Sequence, residues 1–107
     1  MIMIGSKNIL LQIKESVKTT DPDATIILYG SYARGTNKSN SDVDILILLN
    51  KDKINREDEI RIKYPLYDIE FNSGRIISPL VLSKKEWETK HRITPFYKNV
   101  VKEGKIL

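Results

Sequence analysis

The sequence predicts a single small domain of the α/β class, in which short apolar strands alternate with helices. The chain has 107 residues, a length typical of one domain. Three short apolar runs, rich in β-branched residues, have the character of strands and lie at residues 25–29, 43–49 and 76–82. Segments with apolar residues at helical spacing, bounded by helix-capping residues, lie between and around these runs.

The first helix is predicted from about Ser6 to Lys18, and Ser6 is suited to cap it. Its apolar face carries Ile9, Leu10, Ile13 and Val17. The first strand, residues 25–29, ends at Gly30, and a short helix from Ser31 to Arg34 is predicted to follow and to end at Gly35. A polar loop then leads to the second strand, residues 43–49. Because that strand is apolar nearly throughout, we expect it to be buried on both faces, with Asp44 its only charge.

The segment from Asn55 to about Phe71 has two interpretations. Ile60, Tyr64, Tyr67 and Phe71 recur at helical spacing, and the sequence at residues 72–74 is typical of a helix end. Pro65 would kink such a helix or separate it from a strand at residues 66–71. We favour the helix.

The last third of the chain contains one strand and two helix starts. Pro79 places the strand at residues 76–82 toward a sheet edge. Ser83 and Glu86 form a capping-box pattern that opens a short helix at Trp87. Thr94 and the following proline begin a final helix, which ends at Gly104.

Composition excludes several classes of protein. The chain has no cysteine, which excludes disulfides and thiolate metal sites and fits a cytoplasmic location. No stretch approaches the roughly 20 apolar residues of a membrane span, so no membrane association is expected. The net charge is +4. It would suit an anionic ligand such as a triphosphate or RNA, but the basic residues are scattered, and we interpret the excess as solvated lysine.

The segment from Gly30 to Leu49 holds the residues that indicate chemistry. A strand that ends at Gly30 and Ser31 and turns into a helix leaves backbone N–H groups facing outward. Glycine lets a phosphate approach the backbone closely, and the helix N-terminus favours negative charge. The Ser31 hydroxyl adds a further donor. We therefore predict a phosphate-binding turn at these two residues.

Asp42 and Asp44 are predicted to form a metal site beside that turn. They are two residues apart on an extended strand, so their side chains point to the same face. The two charges repel each other unless a cation lies between them, and Mg²⁺ is commonly held by a few carboxylates together with substrate phosphates. A triphosphate-binding turn beside such a site is suited to nucleotidyl transfer. The alternative is structural: Asp42 caps a turn, and Asp44 pairs with Arg34 or Lys38, although a carboxylate inside an apolar strand is costly.

This stretch resembles the signature of the polymerase-β-like nucleotidyltransferase superfamily. The signature is Gly-Ser, a small residue two positions on, a second glycine, then Ser-Asp-x-Asp leading into an apolar strand. The matching residues are Gly30, Ser31, Ala33, Gly35, Ser41, Asp42 and Asp44. The short chain is similar to the minimal nucleotidyltransferase (MNT) subgroup, and its tail, residues 76–104, also resembles small members of that subgroup. Such proteins are often antitoxins of HEPN-domain ribonucleases, and characterised members transfer AMP from ATP to a tyrosine of the toxin.

The resemblance implies a polymerase-β-like fold over residues 1–107, with a small mixed sheet of three to four strands and flanking helices. It implies Asp42 and Asp44 as catalytic ligands of Mg²⁺, with two ions expected, and ATP as the substrate. It implies Gly30 and Ser31 as triphosphate-binding residues. We add Arg34 and Ser41 to this nucleotide-binding set.

A third carboxylate is the open question of this site. Active members of the superfamily usually carry one on a later strand next to the first two, but the predicted strand at residues 76–82 has no acidic residue. Asp68 and Glu70 are the remaining candidates. Both could face the metal if residues 66–71 form a strand, whereas from a helix only a reach from one end would work. The alternative for both is a solvated helix face. We predict Asp68 as the third catalytic residue.

Three functional hypotheses follow. The first is a Mg²⁺- and ATP-dependent nucleotidyltransferase, and the second is a degenerate module that binds a nucleotide or a partner without turnover. The third is a subunit that needs a separate helical chain to bind its acceptor. Because so short a chain has no room for a large acceptor-binding domain, we expect a protein partner of the HEPN type or self-association. A nucleic-acid acceptor is not favoured.

Overall fold

The computed structural model describes residues 6–107, with side chains described from Ile9 onward. Helices and strands alternate along this part of the chain as the sequence predicts. In order they are α1 (Ser6–Thr20), β1 (Thr25–Tyr29), α2 (Ser31–Arg34), β2 (Val43–Leu49), α3 (Arg56–Ser73), β3 (Ile77–Ser83), α4 (Lys84–Thr89), α5 (Pro95–Glu103) and β4 (Lys105–Ile106). The predicted α/β class is confirmed.

The strands form one mixed sheet in the order β3-β2-β1-β4. β1 is antiparallel to both β2 and β4, whereas β2 is parallel to β3. A parallel pair needs a crossover connection, and α3 supplies it. The central position of β2 accounts for its composition, because six of its seven residues are buried.

The sheet separates two hydrophobic cores. One contains the odd-numbered residues of β2 together with buried residues of α1 and α3. The other contains Leu46 and Leu48 of β2 with Trp87 of α4 and Val100 of α5. We call these two sides the α1/α3 face and the α4/α5 face. Since successive side chains of a strand alternate between faces, Asp44 lies on the α4/α5 face.

α1 and β1 follow the predicted pattern closely. α1 ends at Thr20, two residues beyond the predicted end, and Ile9, Ile13 and Val17 on its apolar face are buried. The predicted cap at Ser6 lies outside the residues whose side chains are described.

α3 is one continuous helix, so the helical interpretation is confirmed and the alternative strand at residues 66–71 does not form. A reciprocal cap starts it: Asn55 Oδ1 accepts from the Asp58 amide at 2.9 Å, and Asp58 Oδ2 accepts from the Asn55 amide at 3.0 Å. Pro65 lies inside the helix without ending it, at the loss of one helical hydrogen bond. Gly74, with a left-handed φ of 71°, ends it.

The remaining elements begin at their predicted capping residues. β3 is an edge strand, as Pro79 predicts. Ser83 Oγ accepts from the Glu86 amide at 3.1 Å to start α4, and Thr94 Oγ1 accepts from the Tyr97 amide at 3.1 Å to start α5. The two-residue strand β4 was not predicted. No helix within residues 6–107 has the length and apolar character needed to cross a membrane.

Candidate active site

The ends of β1 and β2 bring the predicted turn and the predicted carboxylates together. Tyr29, the last residue of β1, pairs with Asp44 in the antiparallel register. The next residue, Gly30, leads into α2 with φ 75° and ψ −154°, a conformation that strongly favours glycine. A Cβ atom at position 30 would collide with Oδ2 of Asp44. The bare α-carbon of Gly30 therefore lies directly against this carboxylate.

α2 holds the turn in a fixed position. Tyr32 and Ala33 are buried in the core of the α1/α3 face and anchor this short helix. Ser31 begins the helix, so its backbone N–H has no carbonyl partner within it. Gly35, with φ 74°, ends the helix in the left-handed conformation. The turn therefore presents free amide groups next to Asp44.

Asp42 directly precedes β2 and is exposed, whereas Asp44 lies within β2 and is half-buried. Alternation along the extended chain puts both on the same face. Burial raises the pKa of the Asp44 carboxyl, the negative charge of Asp42 raises it further, and Arg34 opposes the shift. Burial, and then the charge of Asp44, also raise the pKa of Tyr29. The repulsion between the two carboxylates is thus only partly offset by Arg34, and a divalent cation would relieve the remainder.

Ser78 of β3 contributes a third polar side chain that sequence reasoning missed. The parallel register of β2 and β3 places Ser78 beside Asp44, and its hydroxyl lies 3.5 Å from Oδ2 of Asp42. The pairing partner of a strand is not encoded in its own pattern. The one available signal was a small polar residue inside an otherwise apolar run.

Arg34 lies at the rim of the site, held by an acidic residue from the end of α5. Its Nη1 is 3.1 Å from Oε1 of Glu103. The Arg34 side chain is 49% exposed, which leaves it accessible to a ligand. Glu103 was also missed, because 69 residues separate the two partners and α5 gives no sequence signal of this contact.

Ser41 has a structural role in the loop before Asp42. Its hydroxyl accepts from the Lys38 amide at 2.7 Å, and its own amide donates to the Lys38 carbonyl at 3.0 Å. These two bonds close a turn that sets the approach of the chain to Asp42.

The structure does not bring Asp68 or Glu70 to the carboxylate pair. Both lie on α3, which packs against the opposite face of the sheet. Asp68 is exposed there, and Oε1 of Glu70 accepts from the Ile77 amide at 2.9 Å. Residues 66–71 are helical, and α3 lies across the sheet from Asp44, so Asp68 does not reach the pair from either a strand or a helix end. Across residues 6–107, no three acidic or histidine side chains are grouped closely enough to hold a metal ion.

The donor set still fits one divalent cation that also binds a substrate. Two carboxylates on one face supply hard oxygen ligands, and the Ser78 hydroxyl lies beside them. Mg²⁺ characteristically takes one or two protein carboxylates and completes its shell with water and substrate phosphates. The Gly30–Ser31 turn lies where such phosphates would be bound.

Comparison with known proteins agrees with this geometry. Residues 10–107 match the nucleotidyltransferase domain family. "Putative protein adenylyltransferase MJ0604" of Methanocaldococcus jannaschii is 35% identical over 77% of this chain and 75% of its own length. "Putative protein adenylyltransferase MJ0141" of the same organism is 37% identical over 71% of this chain and 78% of its own length.

One solved structure is similar in fold. It is described as a crystal structure of a toxin-antitoxin with AMP-PNP, and it superposes with a TM-score of 0.64. The match covers 95% of this chain and 72% of the other at 20% identity, so the likeness is one of fold.

Proposed function

The chain belongs to the nucleotidyltransferase domain family, in the minimal nucleotidyltransferase group, and from this premise we propose that it transfers AMP from ATP to a hydroxyl group of a protein acceptor. The observation that carries the proposal is the contact between Gly30 and Asp44. It joins the backbone of the Gly30–Ser31 turn to the carboxylate pair, and this supports the binding of phosphate beside a cation. ATP and a protein acceptor are chosen because the two archaeal relatives are named for protein adenylylation and the solved neighbour contains AMP-PNP.

In this proposal each residue of the site has a distinct role. The amides and hydroxyl of the Gly30–Ser31 turn bind the terminal phosphates, and Arg34 neutralises charge at the rim. Asp42 and Asp44 hold Mg²⁺, with the Ser78 hydroxyl beside Asp42. When bound, the ion supplies electrophilic activation of the α-phosphate.

The transfer is a substitution at the α-phosphorus of ATP. The acceptor oxygen forms a bond to this phosphorus, the bond to the oxygen that bridges the α- and β-phosphates breaks, and pyrophosphate leaves with those electrons. The acceptor hydroxyl releases its proton to solvent water, since no third carboxylate lies beside the pair within the described residues. This chain contributes mainly position and electrostatics, by holding the triphosphate against the carboxylate pair.

We further propose that the acceptor is a helical protein of the HEPN type. The partner is suggested by the toxin-antitoxin description of the solved neighbour. A cytoplasmic location fits this proposal, because ATP is supplied there.

A second candidate is a module that binds nucleotide and partner without turnover. The observation that favours it is the missing third acid, since Ser78 occupies the position on β3 that lies beside Asp44. The same partner would bind, but no covalent product would form.

The experiment that separates these candidates uses ATP labelled at the α-phosphate, Mg²⁺ and the product of the neighbouring gene as acceptor. Under the enzyme proposal the partner becomes labelled, and Asp42→Asn and Asp44→Asn each reduce labelling by at least about a hundredfold. Asp68→Asn is the matched control and should leave labelling unchanged, because Asp68 lies on the far face of the sheet. Tight partner binding with no label in the wild-type protein would contradict transfer and leave the binding module.

A further inference from the structure

An outward face of α3 carries an aromatic stripe that the proposed reaction does not use. The stripe consists of Ile60, Tyr64, Tyr67 and Phe71, which recur at intervals of four, three and four residues. Tyr64 is 62% exposed, Tyr67 is 48% exposed and Phe71 is 88% exposed. The inward face of the same helix buries Asp58, Ile62 and Leu66. At 100° per residue the two faces are diametrically opposite, so the stripe points away from the core.

The concentration of aromatic residues on this surface is unusual within the chain. Of its eight aromatic residues, five pack in or against the two cores. The other three are in the stripe, where the Tyr64 and Tyr67 rings already pair with centroids 6.0 Å apart. Exposed aromatic clusters are typical of the centres of protein interfaces.

We propose that this stripe is the interface between two copies of the chain, whose α3 helices pack antiparallel about a two-fold axis. The four-three-four spacing reads the same in both directions along the helix. An antiparallel pair therefore sets Ile60 of each copy beside Phe71 of the other, and Tyr64 beside Tyr67. An isologous contact requires this self-complementarity.

The charges beside the stripe favour the same arrangement. One flank carries Lys63 followed by Glu70, and the other carries Arg61 followed by Asp68. In an antiparallel pair each flank faces the same flank of the other copy, which runs in the opposite direction. Lys63 of one copy therefore meets Glu70 of the other, and Arg61 meets Asp68. Glu70 has one oxygen left for this contact, since its Oε1 accepts from the Ile77 amide.

The contacts that these side chains make within one copy are compatible with the pairing. Lys63 lies 3.7 Å from Glu59, and Arg61 lies 3.4 Å from Asp58. The Lys63–Glu59 contact is at the helix surface, where ion pairs are weak and exchange readily. Asp58 is buried but has a shorter contact with Lys51, at 2.7 Å, and the Arg61 side chain is itself 50% exposed. One 18-residue helix from each copy, about 27 Å long, makes a small interface. We therefore expect dissociation in the micromolar range.

Sedimentation equilibrium over a range of concentrations tests the proposal. The wild-type mass should rise from the monomer value of 12.4 kDa toward twice that value. Tyr67→Glu should weaken association at least about tenfold, because it buries a charge at the centre of the stripe. Ile93→Glu is the matched control: Ile93 is 83% exposed but lies outside the stripe, so association should not change. Circular dichroism of each variant checks that the fold is intact.

Crosslinking tests the register, since the natural chain has no cysteine. A mixture of Ile60→Cys and Phe71→Cys should be joined by a short bismaleimide. Neither variant alone should crosslink, because identical positions would lie about 16 Å apart along the helices. A wild-type chain that stays monomeric would overturn the proposal. So would equal loss of association in both glutamate variants, or crosslinking between two Ile60→Cys copies. If the chain is a monomer and its stripe binds the acceptor protein, the surface belongs to that acceptor. This outcome would also overturn the proposal of a dimer.

Discussion

The α-carbon of Gly30 touches the carboxylate of Asp44, although 14 positions separate them in the sequence. The antiparallel pairing of Tyr29 with Asp44 brings them together. The turn that would bind phosphate and the carboxylates that would bind a cation are therefore one structural unit.

Gly30→Ala should destroy this unit, and Gly35→Ala is its matched control. Both glycines have left-handed φ values near 75°, so each substitution should cost about 1–2 kcal/mol of stability. Only at position 30 does the new methyl group meet Asp44, whereas position 35 has no atom within 4 Å. We expect Gly30→Ala to lower nucleotide transfer by about a hundredfold or more and Gly35→Ala to retain most of it. Equal activity of the two variants would show that the contact has no functional role.

Asp44→Asn should stabilise the protein in the absence of divalent cations. Burial and the charge of Asp42 disfavour the ionised Asp44 carboxyl, and both penalties disappear with the amide. We expect the unfolding temperature to rise by about 2 °C, measured calorimetrically in the presence of a chelator. Adding Mn²⁺ should raise the unfolding temperature of the wild-type protein and not of the variant. A lower unfolding temperature for Asp44→Asn in chelator would mean that this carboxylate stabilises the fold.

Substitutions of Arg34 and Glu103 should change nucleotide affinity in opposite directions. The carboxylate of Glu103 competes with phosphate for the guanidinium of Arg34. Arg34→Ala should therefore raise KM for ATP about tenfold, and Glu103→Gln should lower it several-fold, with smaller changes in kcat. Steady-state kinetics at fixed acceptor concentration measures both. If both variants raise KM, the ion pair positions the site and does not compete with the nucleotide.

Ser78→Asp should strengthen cation binding. The new carboxylate would lie next to Asp42 on the face that carries the pair, and added charge increases the affinity of oxygen-ligand sites. We expect Mn²⁺ affinity, followed by electron paramagnetic resonance, to rise about tenfold relative to Ser78→Asn, which has a similar size and no charge. No difference between the two variants would place Ser78 outside the cation's reach.

Asp58 should make stability depend on pH in the acidic range. The pKa of this buried carboxyl is held below its usual value by a hydrogen bond from Lys51, by a hydrogen bond from the Asn55 amide and by the charge of Arg61. The stabilisation is therefore fully present above the pKa of Asp58 in the unfolded chain, about 3.9. It is lost as the pH falls through the lower pKa of Asp58 in the folded protein. Asp58→Asn should cost about 1–3 kcal/mol at pH 7, measured by urea unfolding, and the difference should shrink below about pH 4. If the difference between wild type and Asp58→Asn stayed constant as the pH falls, the carboxylate of Asp58 would not be the source of the stabilisation.

Elements whose signals are local could be predicted from the sequence. The bounds of β1, α2 and β2 agree with prediction because glycine, a polar loop and an uninterrupted apolar run mark them within a few residues. The position of β3 at the edge followed from Pro79 alone. The Asp42 and Asp44 pair was also local, since alternation along one strand fixes their common face.

Features that depend on pairing between distant segments were missed or misassigned. Ser78 lies beside Asp44 only because β3 runs parallel to β2, and Glu103 reaches Arg34 only because α5 and β4 bring the chain back beside β1. Asp68 was misplaced for a related reason. Its distance from the predicted metal site at Asp42 and Asp44 depended on whether Pro65 interrupts α3. Inward-facing Ile62 and Leu66 hold the helix together across the proline.

The placement of α3 on one face of the sheet and of the carboxylate pair on the other has a consequence for how such a chain can diversify. Substitutions on the outer surface of α3 can alter how two copies associate without changing the residues around the carboxylate pair. Selection can therefore act on assembly and on the candidate site as separate traits. An engineer could likewise exchange the outward residues of α3 to change how copies of the domain assemble while leaving the carboxylate pair in place.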